Sequence, residues 1–465
     1  MKDTLIVKSP YDLLKIAELE YNSETEIESM LSVAHQLSQK KSLPIYERTK
    51  ILNITAKLLA SARDSFAMTI ASEGGKPLID AEVEVDRAVQ GIENAIETLN
   101  HSGGQEVPMG LTPSSDNRMA FTTREPIGVV LAVSAFNHPL NLIIHQVIPA
   151  VATGCPVIVK PAGTTPLSCV NFVKLLHEAG LPKGWCQVAI VGNELAEKLV
   201  IDSRLAFFSF IGSAKVGWML RSKLAPGVRC ALEHGGAAPA IVEEDADIDR
   251  ITPLLVKGGF YHAGQVCVSV QRIFAHKNIV DKLIDSLAEK IEALRLGDPK
   301  KRDTEVGPLI LPREVDRVAS WVAEAKKEGA KIVLGGDCIS ESCLIPTLIA
   351  EPSLNSKVST QEIFGPVVTV KSYDETSEAI GWANSLAVAF QASVFTQDID
   401  RAINAAKKIN ASAVMINDHT AFRVDWMPFA GRKSSGLGTG GIPHTMHEMT
   451  QEKMIVFNYK ENLSY

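Results

Sequence analysis

The chain has 465 residues, 46% of them hydrophobic and 22% charged, with a formal net charge of −7. That length exceeds one ordinary hydrophobic core and points to two or three domains. The charge is spread without a block of like sign, and no stretch of about 18 residues is apolar without a Pro, Gly or polar break, which excludes nucleic acid and membrane as partners. The run Leu5–Val7 is too short for a signal segment, so a cytoplasmic location is expected. The cysteines at 155, 169, 186, 230, 267, 338 and 343 form no C-x-x-C pair, and no histidines stand in zinc spacing beside them. They read as reduced thiols, and no metal is expected.

From Ser23 to about Asn100 the apolar residues recur at helical spacing: Ile27, Met30, Leu31, Ala34 and Leu37, then Ile51, Ile54, Leu58 and Leu59. A third helical segment, Asp80–Leu99, carries Arg87, by default a solvated charge. From Phe121 the period changes. Ile127–Val133 and Val157–Val159 are nearly unbroken apolar runs that predict strands buried on both faces. Helical spacing over His145–Ala152 and Ser168–Ala179 continues an alternation through Trp185–Val191, Glu194–Ile201, Leu205–Phe210 and Ala214–Leu224. Such alternation implies right-handed crossovers and a parallel sheet, an α/β fold whose ligands lie beyond the carboxyl ends of the strands. A second alternating series runs from Ala238 to about Asn417.

Several strand ends carry chemistry. Phe136-Asn137-His138-Pro139 follows the first strand, and Lys160 closes the second, where a lysine needs a partner such as a ribose or phosphate. Gly212-Ser213 opens a helix, so its backbone N–H groups can receive a pyrophosphate; an N-cap by Ser213 explains the same residues. At the junction of the two series stands Glu233-His-Gly-Gly236. Glu233 is the sole carboxylate between Ser203 and Glu243, and its glycine neighbours allow a turn that faces a cleft. Cys267, after Gly264-Gln-Val, is a candidate nucleophile if its thiolate meets free backbone N–H groups; a small apolar residue beside a strand is the plain alternative. A carboxylate near such a cysteine can activate water to hydrolyse a thioester.

In this order, Glu73-Gly-Gly-Lys-Pro77, Phe136-Asn137, Lys160-Pro161, Phe210–Gly217, Leu232–Gly236, Gly264–Cys267, Glu362-Ile-Phe-Gly-Pro366 and Pro428–Gly436 make the chain resemble the aldehyde dehydrogenase superfamily over nearly its whole length. The resemblance implies a parallel-sheet dinucleotide-binding domain, an α/β catalytic domain and a small β oligomerisation element. It implies Cys267 as nucleophile, Glu233 as base, and Asn137 with the Cys267 N–H as oxyanion holders. Lys160 is then the adenosine-ribose ligand, Gly212 and Ser213 the pyrophosphate contacts, Glu362 the nicotinamide-ribose ligand and Phe364 the ring beside the nicotinamide. Domain limits implied are 1–235 for the cofactor domain, interrupted by a β element near 117–124, 236–445 for the catalytic domain, and 446–465 for an oligomerisation segment. An apolar terminal strand needs a cover, so a homodimer or homotetramer is expected.

Three positions depart from the pattern. Gly163 stands where many members carry an acidic residue; a carboxylate there bonds a ribose 2′-OH and repels a 2′-phosphate, so NADP is expected to be preferred, with NAD usable. Gly440 stands where a Glu is common, and His234 where Leu is usual. Phe260–Cys267 and Asp418–Pro428 are most similar to the branch handling lactaldehyde, succinate semialdehyde and phosphonoacetaldehyde. Arg423, His138 and Arg87 are brought toward one mouth, which suits an anionic aldehyde, unless Asp425 already satisfies Arg423. The phosphonoacetaldehyde branch has Arg before the nucleophile; here it is Val266, which argues against a doubly charged phosphonate. A single carboxylate, as in succinate semialdehyde, ranks first and a neutral lactaldehyde-like substrate second. A CoA-acylating enzyme would also use Cys267 but generally lacks the base, and a catalytically silent role on the same fold is the remaining alternative.

Overall fold

Why the helical layer forms is clearest in its longest member. In the computed structural model, which describes residues 3–459, helix α1 is Glu24–Ser38, α2 Ile45–Ser61, α3 Arg63–Gly74 and α4 Leu78–His101. Along α4, Leu78, Ala81, Val85, Ala88, Ile92 and Ala95 recur at three and four residues and are all buried, a single apolar stripe. It packs on α2, α3 and the wholly buried helix α5, Asn141–Thr153. Ahead of the layer, β1 (Thr4–Lys8) and β2 (Lys15–Glu20) form an antiparallel hairpin. The helical period that begins at Ser23 gives no sign of it.

The first sheet matches the expected alternation. Its strands are β5 (Val129–Val133), β6 (Val157–Lys160), β7 (Cys186–Val188), β8 (Leu205–Ile211) and β9 (Arg229–Glu233), ordered β9-β8-β5-β6-β7 and parallel, reached after the short β3 (Glu106–Val107) and the longer β4 (Arg118–Pro126). Helices α6 (Leu167–Glu178), α7 (Asn193–Val200) and α8 (Ala214–Arg221) make the crossovers. The order turns between β5 and β8, and the crevice beyond their carboxyl ends is where such sheets bind ligands.

The second sheet has seven strands, with β10 (Ala238–Val242) and β11 (Val270–His276) at its centre, joined by helix α9 (Ile248–Phe260). Near the C-terminus the chain returns to the first layer. Gly436–Leu437 pairs antiparallel with β9, placing Gly436 opposite Glu233, and Ile442, Met446 and Met449 enter the core beneath α4 and α5. That return begins ahead of residue 446, because pairing with β9 and burial under α5 draw the segment back. Thr450–Asn458 then pairs antiparallel along the whole of β4, so the β element is longer than 117–124. Residues 460–465 of the terminal segment lie outside the described residues.

Two buried carboxylates register the helical layer on the sheet. Glu73 accepts hydrogen bonds from the Leu167 and Ser168 amides at 2.7 and 2.8 Å, at the start of α6. Glu84 accepts from the Leu140 and Asn141 amides, both at 3.0 Å, at the start of α5, while its other oxygen pairs with the fully buried Lys76 ammonium. Removing one partner of a buried pair strands the other charge. Lys76→Met should therefore cost about 3 kcal/mol, read as a lower urea midpoint. Adding Glu84→Gln to it should recover part of that loss.

Candidate active site

The candidate residues converge on one cavity of about 720 Å³ at the crevice between the two sheets. Asn137, Glu233 and Cys267 line it, as do Lys160, Ser213 and Glu362. Arg87, His138, Gly212, Phe364 and Arg423 reach its wall too, whereas Gly163 sits just behind, between the lining residues Ala162 and Thr164.

Cys267 is presented by a strained turn before β11. His262, Ala263 and Gly264 have φ of 48°, 55° and 70°, three successive left-handed residues. A Cβ at Gly264 would lie 2.1 Å from the Gly365 carbonyl oxygen, so glycine is required there. Gln265 locks the turn: its side-chain oxygen accepts from the Ile310 amide at 2.9 Å, and its Nε2 donates to the Pro308 and His262 carbonyls at 3.2 Å. Its own carbonyl accepts one N–H of the Asn137 amide at 2.9 Å. That bond settles the orientation of the Asn137 amide and leaves its second N–H for an oxyanion.

Burial pushes the Cys267 thiol up to about 12, opposed by the charge of Arg423. Burial also raises Glu233, again opposed by Arg423. A raised carboxyl suits a base that must hold a proton taken from water. Gly440 bears directly on its placement, since a Cβ there would lie 2.2 Å from the Glu233 Oε1. The carboxylate thus occupies space that any side chain at 440 would claim.

The cation cluster is narrower than the sequence suggests. Arg87 is not a solvated charge; it forms a two-point bond to the buried Asp425, at 2.7 and 3.2 Å. His138 is partly buried on the cavity wall, and desolvation with nearby cations holds it neutral, well below the ordinary imidazole range. Asp425 serves Arg87, Asn141 and His145 rather than Arg423, and despite its burial these bonds hold it well below the usual carboxylate range. Arg423 has no carboxylate within ion-pair distance among the described residues. Its guanidinium lies 3.6 Å from the centre of the Phe429 ring, one nitrogen approaches His145 Nδ1 at 3.4 Å, and its Nε is buried without a partner. His145 and Asn141 escaped the sequence reading. A signal was present: they stand four apart on α5, a helix otherwise almost wholly apolar, and buried polar groups require partners.

The dinucleotide end fits the group it would hold. Lys160 is half-buried, bonds among the described residues only to the Pro161 carbonyl at 3.3 Å, and is lowered by desolvation, so an anion or hydroxyls would complete it. Ser213 precedes α8 without capping it, which leaves the first N–H groups of that helix available. Glu362 is raised to about 7 by burial and accepts from the Gly236 amide at 3.2 Å. Phe364, at φ 49°, stands edge-on to Phe136 with ring centres 5.8 Å apart.

A family model described as the aldehyde dehydrogenase family matches residues 1–455. The chain belongs to the aldehyde dehydrogenase family. It is 39% identical to a 3-sulfolactaldehyde dehydrogenase of Priestia megaterium, over 97% of this chain and 94% of that one. Its fold is that of aldehyde dehydrogenase 21 of Physcomitrella patens in complex with the reaction product succinate, with TM-score 0.96 and 31% identity over 99% and 96% of the two chains. It is equally close to glyceraldehyde-3-phosphate dehydrogenase GapN of Methanocaldococcus jannaschii complexed with NADP, at TM-score 0.94 and 34% identity over 99% and 100%. The α/β fold and the nicotinamide-dependent oxidation of a small aldehyde follow from membership and from these relatives together.

For this aldehyde dehydrogenase without cofactor, a thiol raised to about 12 predicts a simple titration. Alkylation of Cys267 by iodoacetamide, followed by mass spectrometry of its peptide, should quicken about tenfold per pH unit from 7 to 9 with no plateau. Arg423→Ala should slow it further at every pH, since the cation that favours the thiolate is gone.

Proposed function

We propose that this aldehyde dehydrogenase oxidises a short aldehyde bearing one anionic group to the acid, using NADP in preference to NAD. The observation that carries the reading is Arg423, a desolvated cation with an unpartnered Nε and no carboxylate, lining the cavity that holds Cys267 and Glu233. Such a guanidinium gains from an anion that replaces its lost water. A carboxylate as in succinate semialdehyde, or a sulfonate as in sulfolactaldehyde, suits it; the substrates and product named for the relatives above all carry an anionic group. A neutral lactaldehyde-like substrate is the second reading, favoured by the pairing of Arg87 and the neutrality of His138.

Cys267 gives up its thiol proton to solvent as Sγ attacks the aldehyde carbon, and the Asn137 N–H with the Cys267 amide holds the oxyanion that forms. A bound nicotinamide supplies the hydride acceptor, so the carbon leaves this stage as a thioester on Cys267. Glu233 then takes a proton from water, whose oxygen adds to the thioester carbon; the C–S bond breaks, the acid departs and Cys267 regains its proton. Glu233 supports hydrolysis over transfer to CoA, because a carboxylate base serves water and a thiol acceptor does not need one. For the cofactor, a Cβ at Gly163 would meet nothing closer than Leu5 Cδ1 at 3.9 Å, which leaves room for a 2′-phosphate. In assembly, Met119 on β4 and Phe457 opposite it on the last strand are about half exposed, and a second copy of the chain would cover them.

The test pairs substrates and variants in an absorbance assay of reduced nicotinamide, with NAD and NADP and with and without CoA. Arg423→Ala should raise KM for succinate semialdehyde or sulfolactaldehyde about tenfold or more while changing that for lactaldehyde little. An equal rise in KM for all three would remove the anion site, whereas a common fall in kcat reports the charge that Arg423 lends to Cys267 and Glu233. Glu233→Gln should release about one reduced cofactor per site in a burst and then stall, whereas Cys267→Ala should give no burst.

A further inference from the structure

His234 directly follows the base and is 2% exposed, yet nothing in the chemistry above uses it. Its Nδ1 lies 2.9 Å from the Gly212 carbonyl oxygen. A carbonyl only accepts, so Nδ1 carries the proton and donates. Nε2 is then a bare lone pair, buried and without a partner. Burial lowers the imidazole and keeps it neutral. The ring is held edge-on between Phe210 and Trp218, with centres 5.7 and 5.9 Å away, and Trp218 is itself fixed by a 3.0 Å bond from its indole N–H to the Ser434 carbonyl.

Gly212 is held from its amide side as well. The Gly212 amide donates to the Glu233 carbonyl at 3.0 Å, and the His234 amide donates to the Ser435 carbonyl at 2.9 Å. Gly212 therefore has both its N–H and its C=O tied to consecutive residues of one strand, just before the free N–H groups at the start of α8. The approach is tight enough to dictate a residue on that helix. A Cβ at Gly217 would lie 2.0 Å from His234 Cε1, so glycine lets α8 close on the ring.

We propose that His234 is a positioning residue for the dinucleotide: its Nδ1–H holds the Gly212 carbonyl so that the Ser213 end of α8 stays aimed at the pyrophosphate. The clamp joins the phosphate-binding turn to the residue that follows Glu233. A leucine fills the volume and leaves the Gly212 carbonyl without that donor. An asparagine restores it, because its Nδ2 stands where the imidazole Nδ1 stands.

The inference rests on the Gly212–Ser213 turn receiving the pyrophosphate, and the experiment separates the two. Binding of NADPH is titrated through quenching of tryptophan fluorescence, alongside steady-state kinetics. His234→Leu should weaken NADPH about tenfold and raise KM for NADP similarly, with kcat within about twofold; His234→Asn should recover binding to within about threefold. His234→Ala, which adds no bulk against Gly217, carries the same expectation as His234→Leu should that variant not fold. NADPH binding unchanged in His234→Leu or His234→Ala, or no recovery with His234→Asn, overturns the role of His234. Ser213→Glu places a carboxylate in the turn and should abolish binding; wild-type affinity there overturns the turn as the pyrophosphate site and the inference with it.

Discussion

The capture of two helix N-termini by buried carboxylates is the constraint on which the site depends. The first amides of a helix have no partner within it and sit at the positive end of its dipole, so a carboxylate aimed at them satisfies donors and charge together. Glu84 does this for α5 and Glu73 for α6, the helices that follow the Asn137 and Lys160 loops. Each carboxylate comes from the helical layer, so the loops bearing Asn137 and Lys160 take their position from residues more than fifty positions earlier in the chain. Burial raises Glu73 to about 7 even with three bonds from α6 acting against that rise. The Lys76 ammonium performs the corresponding service for Glu84 and is wholly enclosed in doing so.

Opposite these carboxylates stands Arg423, a cation without an ion-pair partner among the described residues. Asp425 gathers Arg87, Asn141 and His145, and the last of these turns its Nδ1 toward Arg423. The network thereby orients Arg423 without neutralising it. Its charge acts on both Cys267 and Glu233, favouring thiolate and carboxylate against a burial that disfavours each. A desolvated guanidinium over an aromatic face is costly unless something anionic arrives, which links specificity and reactivity through one residue.

Strain is concentrated where the nucleophile is presented. Two non-glycine residues in left-handed conformation, His262 and Ala263, cost on the order of 1–3 kcal/mol each and persist because the surroundings over-determine them. Gln265 supplies that determination through both ends of its amide and through its carbonyl, which also anchors Asn137. Cys267 and Asn137 are in this way held by a single residue.

The sequence by itself determined the alternation of elements, the parallel sheets and the candidate residues that line the cavity, because hydrophobic period and strand-end composition are local properties. Cys267, Glu233 and Asn137 could be picked out because cysteine, a lone carboxylate and an amide are unusual at such ends. The hairpin β1–β2 could not, since its short strands are mostly exposed and carry little period. Pairing was likewise out of reach: Arg87 and Asp425 are 338 positions apart, and nothing local says that Asp425 prefers Arg87 to the nearby Arg423. Only the tertiary structure decided which cations stay charged and free, that the Glu233 carboxylate uses the space beside Gly440, and that His234 reaches Gly212. Each of these depends on burial and on contacts between distant segments, and both are set by packing.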